Sequence, residues 1–161
     1  MSKFPRIKDL EKVASKKIPP FIHAYLAAGT GSGNTMARNR RALDEITFTP
    51  ELMHGHFTPN LETKILGQSY ALPFGVAPIG LSSMIWPLSE HYLAEMAARL
   101  KIPYALSTVA GASIEDIGEK SKGYGWFQLY APHNRDITFS LLDRAEKADM
   151  GEILNKLTEP S

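Results

Sequence analysis

The sequence contains no cysteine among its 161 residues. Disulfide cross-links and thiolate catalysis are therefore excluded, although the lack of cysteine does not by itself fix a cellular compartment. An excess of charge of either sign is also missing, because 18 basic and 17 acidic residues leave a formal net charge of +1 at pH 7. A nearly neutral chain lacks the strongly basic character of nucleic-acid-binding proteins, so we expect no nucleic-acid partner.

Long hydrophobic runs are absent as well. The most apolar region, residues 72–86, is interrupted by proline and glycine and falls short of the roughly 20 residues of a membrane-spanning helix. Residues 1–17 carry too many charges for a secretory signal peptide. With 43% hydrophobic residues the composition is that of an ordinary globular protein, and we expect a cytoplasmic location.

Residues 1–71 are predicted to form an N-terminal segment of helices and short β-like pieces. Apolar residues at helical spacing predict a first helix over residues 7–16. Turn and capping residues then delimit two further helices and two β-like pieces. These are a helix Phe21–Ala28 with Gly29 as its C-cap, a helix capped by Asn34 or Thr35 that runs to about Leu43, and the β-like pieces Ile46–Thr49 and Thr63–Leu66.

Two short patterns in this segment resemble ligand-binding motifs but lack the required context. The glycine-rich run Gly29–Gly33 follows a predicted helix, whereas a dinucleotide-binding loop follows a strand. His54 and His56 are two residues apart, but no third metal ligand with usable spacing lies nearby. We therefore expect a turn at the glycines and no metal site.

Residues 72–161 show a different pattern, in which a strand, a loop and a helix repeat. The apolar run Phe74–Ala77 does not alternate, which predicts a parallel strand buried on both faces and ended by Pro78. Three successive βα units predict an α/β protein with a parallel sheet or barrel. The other predicted elements are strands Tyr104–Ser107 and Trp126–Tyr130, a strand fragment Glu152–Thr158, and helices Glu90–Leu100 (Ser89 as N-cap), Ile114–Lys120 (Ser113 as N-cap) and Ile137–Ala148.

Polar side chains and a flexible turn fall at the predicted carboxyl ends of these strands. Gln128 and Tyr130 are two residues apart and so share one face of their strand. In a parallel sheet they would meet Ser107 and the turn Pro78–Gly80 at one edge, where α/β folds bind ligands. A buried glutamine is costly unless its amide is paired, and a planar heterocycle would pair it. A core strand followed by an ordinary turn is the alternative.

Five stretches occur together in the order and spacing of one enzyme family. The sequence resembles the FMN-dependent α-hydroxy-acid dehydrogenases and oxidases, which include L-lactate dehydrogenase, glycolate oxidase and mandelate dehydrogenase. Each stretch is weak alone, but together they are specific, and the resemblance covers roughly residues 5–148. The stretches are IPPFIHAYLAAG (18–29), TMARNRRAL (35–43), LPFGVAPIGL (72–81), YALSTVAGASIEDI (104–117) and WFQLYAPHNRDIT (126–138).

The resemblance implies an eight-stranded (β/α)8 TIM barrel with FMN at the carboxyl ends of its strands. Such a barrel needs about 250 residues, so the chain would hold its N-terminal portion, about three βα units. We therefore expect an N-terminal helical and β segment over residues 1–71. Residues 72–161 would form the truncated first half of the FMN-binding barrel.

The resemblance also implies roles for individual residues, carried over by motif. Ala77, Pro78, Ile79 and Gly80 would lie along the flavin ring. Ser107 and Gln128 would hydrogen-bond the flavin. Tyr25 would bind the substrate carboxylate, although its position in the sequence alone favours a packing role with its hydroxyl at the rim. Tyr130 would contact the hydroxyl or carboxylate of the substrate.

The general-base histidine, the active-site lysine and the two substrate-binding arginines of the family have no counterpart in this sequence. None of the five histidines falls on the family's histidine motif. Thr158 echoes a flavin-contacting threonine of the family, but the aspartate that follows it there is missing, and no role is carried over. We therefore assign no catalytic residue and expect a truncated L-lactate dehydrogenase-like oxidoreductase that is inactive alone.

The partners implied by the resemblance are a small 2-hydroxy acid, which would become a 2-keto acid, and an electron acceptor. Gly80 stands where the oxidases commonly carry alanine, which favours a quinone or cytochrome over oxygen and leaves open peripheral attachment to the inner face of the membrane. A homo-oligomer and a C-terminal half-barrel partner are also implied. The alternatives are a non-catalytic flavin-binding or interaction module, or one subunit of a split enzyme.

Overall fold

The structure is a computed structural model that describes residues 6–50, 52–53, 55–56 and 58–155, with the backbone alone for residues 152–155. The chain divides into two compact units, Met1–Pro59 and Asn60–Ser161. Within the described residues no helix is both long enough and apolar enough to span a membrane.

The described residues of the first unit contain three helices, which confirms the helical predictions for this segment. They are α1 (Ile7–Lys17), α2 (Pro20–Ala27) and α3 (Asn34–Asp44).

Their predicted caps are wrong. The residue that ends α2 is Ala28, in an extended conformation, rather than Gly29. Gly33 occupies the N-cap position of α3 with φ 74°, a left-handed conformation that glycine adopts without strain, so neither Asn34 nor Thr35 caps this helix. The predicted β-like piece Ile46–Thr49 is irregular, because no strand pairs with it within the described part of the chain.

The second unit begins with a small antiparallel hairpin and continues with βα units. The predicted piece Thr63–Leu66 is confirmed as a strand, and its partner strand was not predicted. The elements are β1 (Thr63–Ile65), β2 (Gln68–Tyr70), α4 (Ser82–Ile85), α5 (Ser89–Leu100), β3 (Tyr104–Ser107), α6 (Ile114–Ser121), β4 (Gly125–Tyr130), α7 (Arg135–Lys147) and β5 (Gly151–Asn155). The rest of the predicted fragment after Asn155 lies outside the described residues.

A parallel sheet of β3, β4 and β5, in that order, forms the centre of this unit. Leu106 pairs with Phe127, and both side chains belong to a hydrophobic core formed with α5, α6 and α7. The register places Ser107 beside Gln128 on the opposite face of the sheet. Strands β3 and β4 confirm the sequence prediction, and so does the side-chain oxygen of Ser113, which caps α6 by accepting from the Asp116 N–H at 3.1 Å.

The expected strand Phe74–Ala77 is reduced to a single parallel bridge between Val76 and Tyr104. The Val76 N–H donates to the carbonyl of Pro103 at 2.8 Å, and the Ala105 N–H donates to the carbonyl of Val76 at 2.9 Å. The next bonds on either side would need N–H donors on Pro78 and Pro103, and proline has none. The ladder therefore ends after one pair of bonds.

The prediction that this segment is buried on both faces is also wrong. Phe74 is 59% exposed, and Ala77 is exposed, whereas Val76 is half-buried against the core. An apolar run alone therefore did not fix its burial.

Helix α5 differs from its prediction at its start and on its buried face. The N-cap position is held by Leu88, with φ 58°, and Ser89 is the first helical residue. The apolar residues Leu93, Met96, Ala97 and Leu100 fall at helical spacing and predict a buried stripe, but Met96 and Leu100 are 46% and 47% exposed. The stripe instead runs through Glu90, Ala94 and Ala97, which are buried.

A chain of hydrogen bonds joins the β1–β2 hairpin to the parallel sheet. The indole N–H of Trp126 donates to the Tyr70 hydroxyl at 2.9 Å, and that hydroxyl donates to Gln68 Oε1 at 2.9 Å. Gln68 Nε2 in turn donates to the carbonyl of Gly123 at 2.8 Å. Tyr70 is only 1% exposed, so its hydroxyl is the buried centre of this chain.

Replacing Tyr70 by phenylalanine should lower the free energy of unfolding by about 1–2 kcal/mol, because the indole N–H of Trp126 loses its acceptor. Urea denaturation followed by tryptophan fluorescence measures the change. The matched control is Tyr92→Phe, since Tyr92 is 58% exposed and should change stability by less than about 0.5 kcal/mol. Equal effects of the two variants would show that the Tyr70 hydroxyl does not stabilise the fold.

Candidate functional site

The carboxyl ends of three adjacent chain segments meet at one edge of the parallel sheet. Val76 is bridged to β3, and β3 pairs with β4, so the turn Ala77–Gly80 and the ends of β3 and β4 lie side by side. This edge holds seven of the eight residues that the sequence singles out for a site: Ala77, Pro78, Ile79, Gly80, Ser107, Gln128 and Tyr130. Tyr25 belongs to the first unit, where it lies on α2 with 55% of its surface exposed.

Gln128 is buried with a donor that nothing in the described chain satisfies. Its side chain is 1% exposed, and Nε2 has no hydrogen-bond partner among the described residues. A buried polar group left unpaired costs roughly 1–3 kcal/mol. A bound heterocycle with a carbonyl oxygen or an acceptor nitrogen would recover that cost, and the flavin ring expected from the resemblance has such atoms.

Ser107 lies beside Gln128 and is 4% exposed. Its hydroxyl oxygen accepts from the Val109 N–H at 3.3 Å, which leaves the hydroxyl proton able to donate to a ligand. The N–H groups of Ala77, Ile79 and Gly80 donate to no acceptor within the described part of the chain. A flat acceptor-bearing group fits this set of side-chain and backbone donors.

Thr108 positions the end of β4, a role that sequence reasoning missed. Its hydroxyl donates to the carbonyl of Gln128 and accepts from the Tyr130 N–H at 2.9 Å. The backbone on both sides of Leu129 is therefore fixed to the end of β3. Tyr130 itself is 38% exposed, so its side chain reaches the surface of the edge, whereas Gln128 is buried.

Glu90, in the first turn of α5, is a buried carboxylate that sequence reasoning also missed. It is 1% exposed, and its Oε1 accepts from the N–H groups of Ser83 at 3.0 Å and Gly111 at 3.1 Å. Burial raises the pKa of Glu90, but hydrogen bonds donated to it by backbone N–H groups and the Ser82 hydroxyl outweigh burial and lower the pKa below its usual value.

Helical spacing was the signal that could have found Glu90. The sequence shows an acidic residue at i with small residues at i+4 and i+7, Ala94 and Ala97, which places the carboxylate on the buried face of α5.

Among the described residues no group of three or more histidine, aspartate or glutamate side chains could hold a metal ion. His56 is described but His54 is not, so the histidine pair considered in the sequence lies partly outside the described residues.

Comparison with known proteins gives one consistent result. Residues 14–157 match the sequence profile described as FMN-dependent dehydrogenase. An FMN-dependent alpha-hydroxy acid dehydrogenase from Penicillium citrinum is 34% identical over 86% of this chain and 35% of that protein. An L-lactate dehydrogenase from Pseudomonas syringae pv. syringae is 31% identical over 95% of this chain and 40% of that protein.

Solved structures agree with the sequence comparison. A crystal structure of mandelate oxidase superposes with a TM-score of 0.85 at 29% identity, over 94% of this chain and 44% of that one. A mutant of (S)-mandelate dehydrogenase gives a TM-score of 0.84 at 28% identity, over 94% and 43% of the two chains. The chain thus spans less than half the length of each of these proteins.

Replacing Gln128 by the near-isosteric methionine should raise the free energy of unfolding of the ligand-free chain by about 1 kcal/mol, because a buried unpaired amide is removed. Urea denaturation measures this gain. Such a gain would show that Gln128 lowers the stability of the ligand-free chain, as expected of a residue whose amide serves to bind a ligand.

The matched control is Gln68→Met, because both the oxygen and the nitrogen of the Gln68 amide are hydrogen-bonded in the unmodified chain. That variant should lose about 1 kcal/mol. A loss of stability in Gln128→Met as large as that in Gln68→Met would contradict the idea that the Gln128 amide is unpaired.

Proposed function

The chain belongs to the FMN-dependent dehydrogenase family, and from this we propose that it is the flavin-contacting N-terminal part of a 2-hydroxy-acid dehydrogenase. The observation that carries the proposal is the buried, unpaired amide of Gln128 at the carboxyl end of β4. FMN is the cofactor of this family. Relatives named L-lactate dehydrogenase and (S)-mandelate dehydrogenase support a 2-hydroxy acid as the substrate class, with L-lactate as the first candidate.

The proposed flavin contacts come from the edge formed by the turn Ala77–Gly80, β3 and β4. Gln128 Nε2 donates to an acceptor on the flavin ring, and the Ser107 hydroxyl donates to a second one. Backbone N–H groups of Ile79 and Gly80 would lie along the ring, and the lack of a side chain on Gly80 would permit its close approach. Bound FMN would accept a hydride equivalent from the carbon that carries the substrate hydroxyl.

The proposed substrate contacts are Tyr130 and Tyr25. Tyr130 presents its phenol beside the flavin edge and donates to the hydroxyl or carboxylate of the 2-hydroxy acid. Its backbone is held by Thr108, which fixes the position from which the ring extends. The resemblance to the family further implies that Tyr25, on α2, would bind the substrate carboxylate. A phenol donor to a carboxylate forms a charge-assisted hydrogen bond, which suits recognition of an acid.

The proposed architecture is the first part of a (β/α)8 barrel over residues 72–161, preceded by the segment 1–71. The relatives are covered over only 35–40% of their length. We propose that a C-terminal half-barrel, from the same or another chain, would supply the remaining strands. The complete enzyme is a homo-oligomer. Gly80 favours a quinone or cytochrome as electron acceptor.

Catalysis by these residues alone is not expected, because removing the proton from the substrate needs a positioned base. His133, in the loop after β4, is exposed and follows no strand end directly. The chain by itself therefore holds the flavin ring without turning over a substrate.

Titrating the chain into FMN and following flavin fluorescence should show weak, saturable binding. The proposed contacts involve the ring rather than the phosphate, so riboflavin should bind within about threefold of FMN. Gln128→Met should weaken both by about fivefold or more, which corresponds to one lost hydrogen bond. Gln68→Met is the control and should bind like the unmodified chain.

Two outcomes of this titration would overturn the proposal. Binding of neither flavin would favour the non-catalytic interaction module. Tight, stoichiometric FMN that survives dialysis, with no binding of riboflavin, would mean that the phosphate is held by this chain and that the ring contacts are misassigned.

A dye-reduction assay tests the absence of turnover. With FMN and L-lactate, glycolate or mandelate, the chain should reduce the dye no faster than free FMN does. Activity that persists through repurification and is lost in His133→Ala would place the base in this chain and contradict the assignment.

A further inference from the structure

Two loops flank the edge at which the flavin is proposed to bind. The first rim loop is residues 77–83, from the end of the bridged segment into the first turn of α4. The second rim loop is residues 108–113, between β3 and α6. They contact one another directly, since the Leu81 N–H donates to the carbonyl of Val109 at 3.0 Å.

The two rim loops also pack together more closely than side chains would normally allow. A Cβ atom built on Gly111 would lie 1.9 Å from Ser83 Oγ and 3.1 Å from Ser83 Cβ. The distance to Oγ is far inside van der Waals contact, so a side chain at position 111 would force the Ser83 side chain to move, whereas glycine leaves room for it.

Glu90 forms hydrogen bonds with both of these residues. Its Oε1 accepts from the Ser83 N–H at 3.0 Å and from the Gly111 N–H at 3.1 Å, so one oxygen atom bonds both loops. Ser89 Oγ lies 3.3 Å from the other oxygen. The carboxylate is buried, and hydrogen bonds to a charged acceptor are about twice as strong as neutral ones.

We propose that Glu90 is a positioning residue that holds the two rim loops together, so that the turn Ile79–Gly80 and the end of β3 keep a fixed separation. The coupling of the loops follows from the contacts above. Its consequence for flavin binding rests on the proposed function.

The test compares Glu90→Gln, which keeps the shape and removes the charge, with Glu90→Leu, which removes both acceptors. Amide hydrogen exchange followed by NMR reports on the Ser83 and Gly111 N–H groups without any flavin. Both amides should exchange about fivefold faster in Glu90→Gln and faster still in Glu90→Leu.

The matched control is Glu95→Gln on the same helix. Glu95 is exposed and pairs with Lys120 of α6 at 2.8 Å, away from both rim loops. Exchange at Ser83 and Gly111 should be unchanged in this variant, relative to amides elsewhere in the sheet.

Flavin affinity supplies the second readout. Glu90→Gln should weaken binding of FMN and riboflavin by about threefold, while Glu95→Gln should not, because only the former loosens the loops that flank the ring. If Glu90 had a purely structural role, its replacement would accelerate exchange throughout the second unit. The exchange rates of the Ser83 and Gly111 amides would then not follow the strength of the acceptor left at position 90.

Unchanged exchange in Glu90→Gln and Glu90→Leu, or acceleration of only one of the two amides, would overturn the coupling. If Glu90→Leu does not fold, Glu90→Gln against Glu95→Gln decides the question. Accelerated exchange with unchanged flavin affinity would overturn the flavin part of the proposal. Failure of the unmodified chain to bind any flavin would contradict the proposed function, and the exchange measurements would still decide the coupling.

Discussion

The register between β3 and β4 is the constraint on which the rest of the site depends. Pairing of Leu106 with Phe127 places two apolar side chains in the core that the helices cover, and pairing of Ser107 with Gln128 places two polar ones on the other face. A slip of one residue would exchange the faces and bury Gln128 among the helices. The apolar residues of β4 therefore fix the position of the polar residues that are proposed to hold the flavin.

Gln128 and Glu90 are both buried polar side chains, but they differ in whether the fold itself supplies their hydrogen-bond partners. Both side chains are 1% exposed. The Glu90 carboxylate accepts backbone N–H groups from two loops, so the structure itself compensates for its burial. The Gln128 amide has an unpaired donor among the described residues and gains a partner only when something else binds. Buried polar groups are rarely left in this state without a function.

The sequence predicted the elements whose formation depends on local patterns. Strands β3 and β4 are short apolar runs between turn residues, and α6 begins at a serine that caps it. The bridged segment Phe74–Ala77 was predicted less well because its pairing depends on Pro103, which lies in another part of the chain and supplies no N–H. The role of Glu90 likewise depends on residues 7 positions before it and 21 positions after it, which only the fold brings together.

Holding a flavin ring and reacting a substrate make different demands on a barrel. Donors for the ring can come from adjacent strand ends, because neighbouring parallel strands align their carboxyl ends within a few ångströms of one another. A base that removes a proton from the substrate must instead face the ring from the far side of the bound substrate. The polar side chains at the ends of β3 and β4 are hydrogen-bond donors and phenols rather than bases. They are therefore suited to holding a flavin ring and not to removing a proton from a substrate.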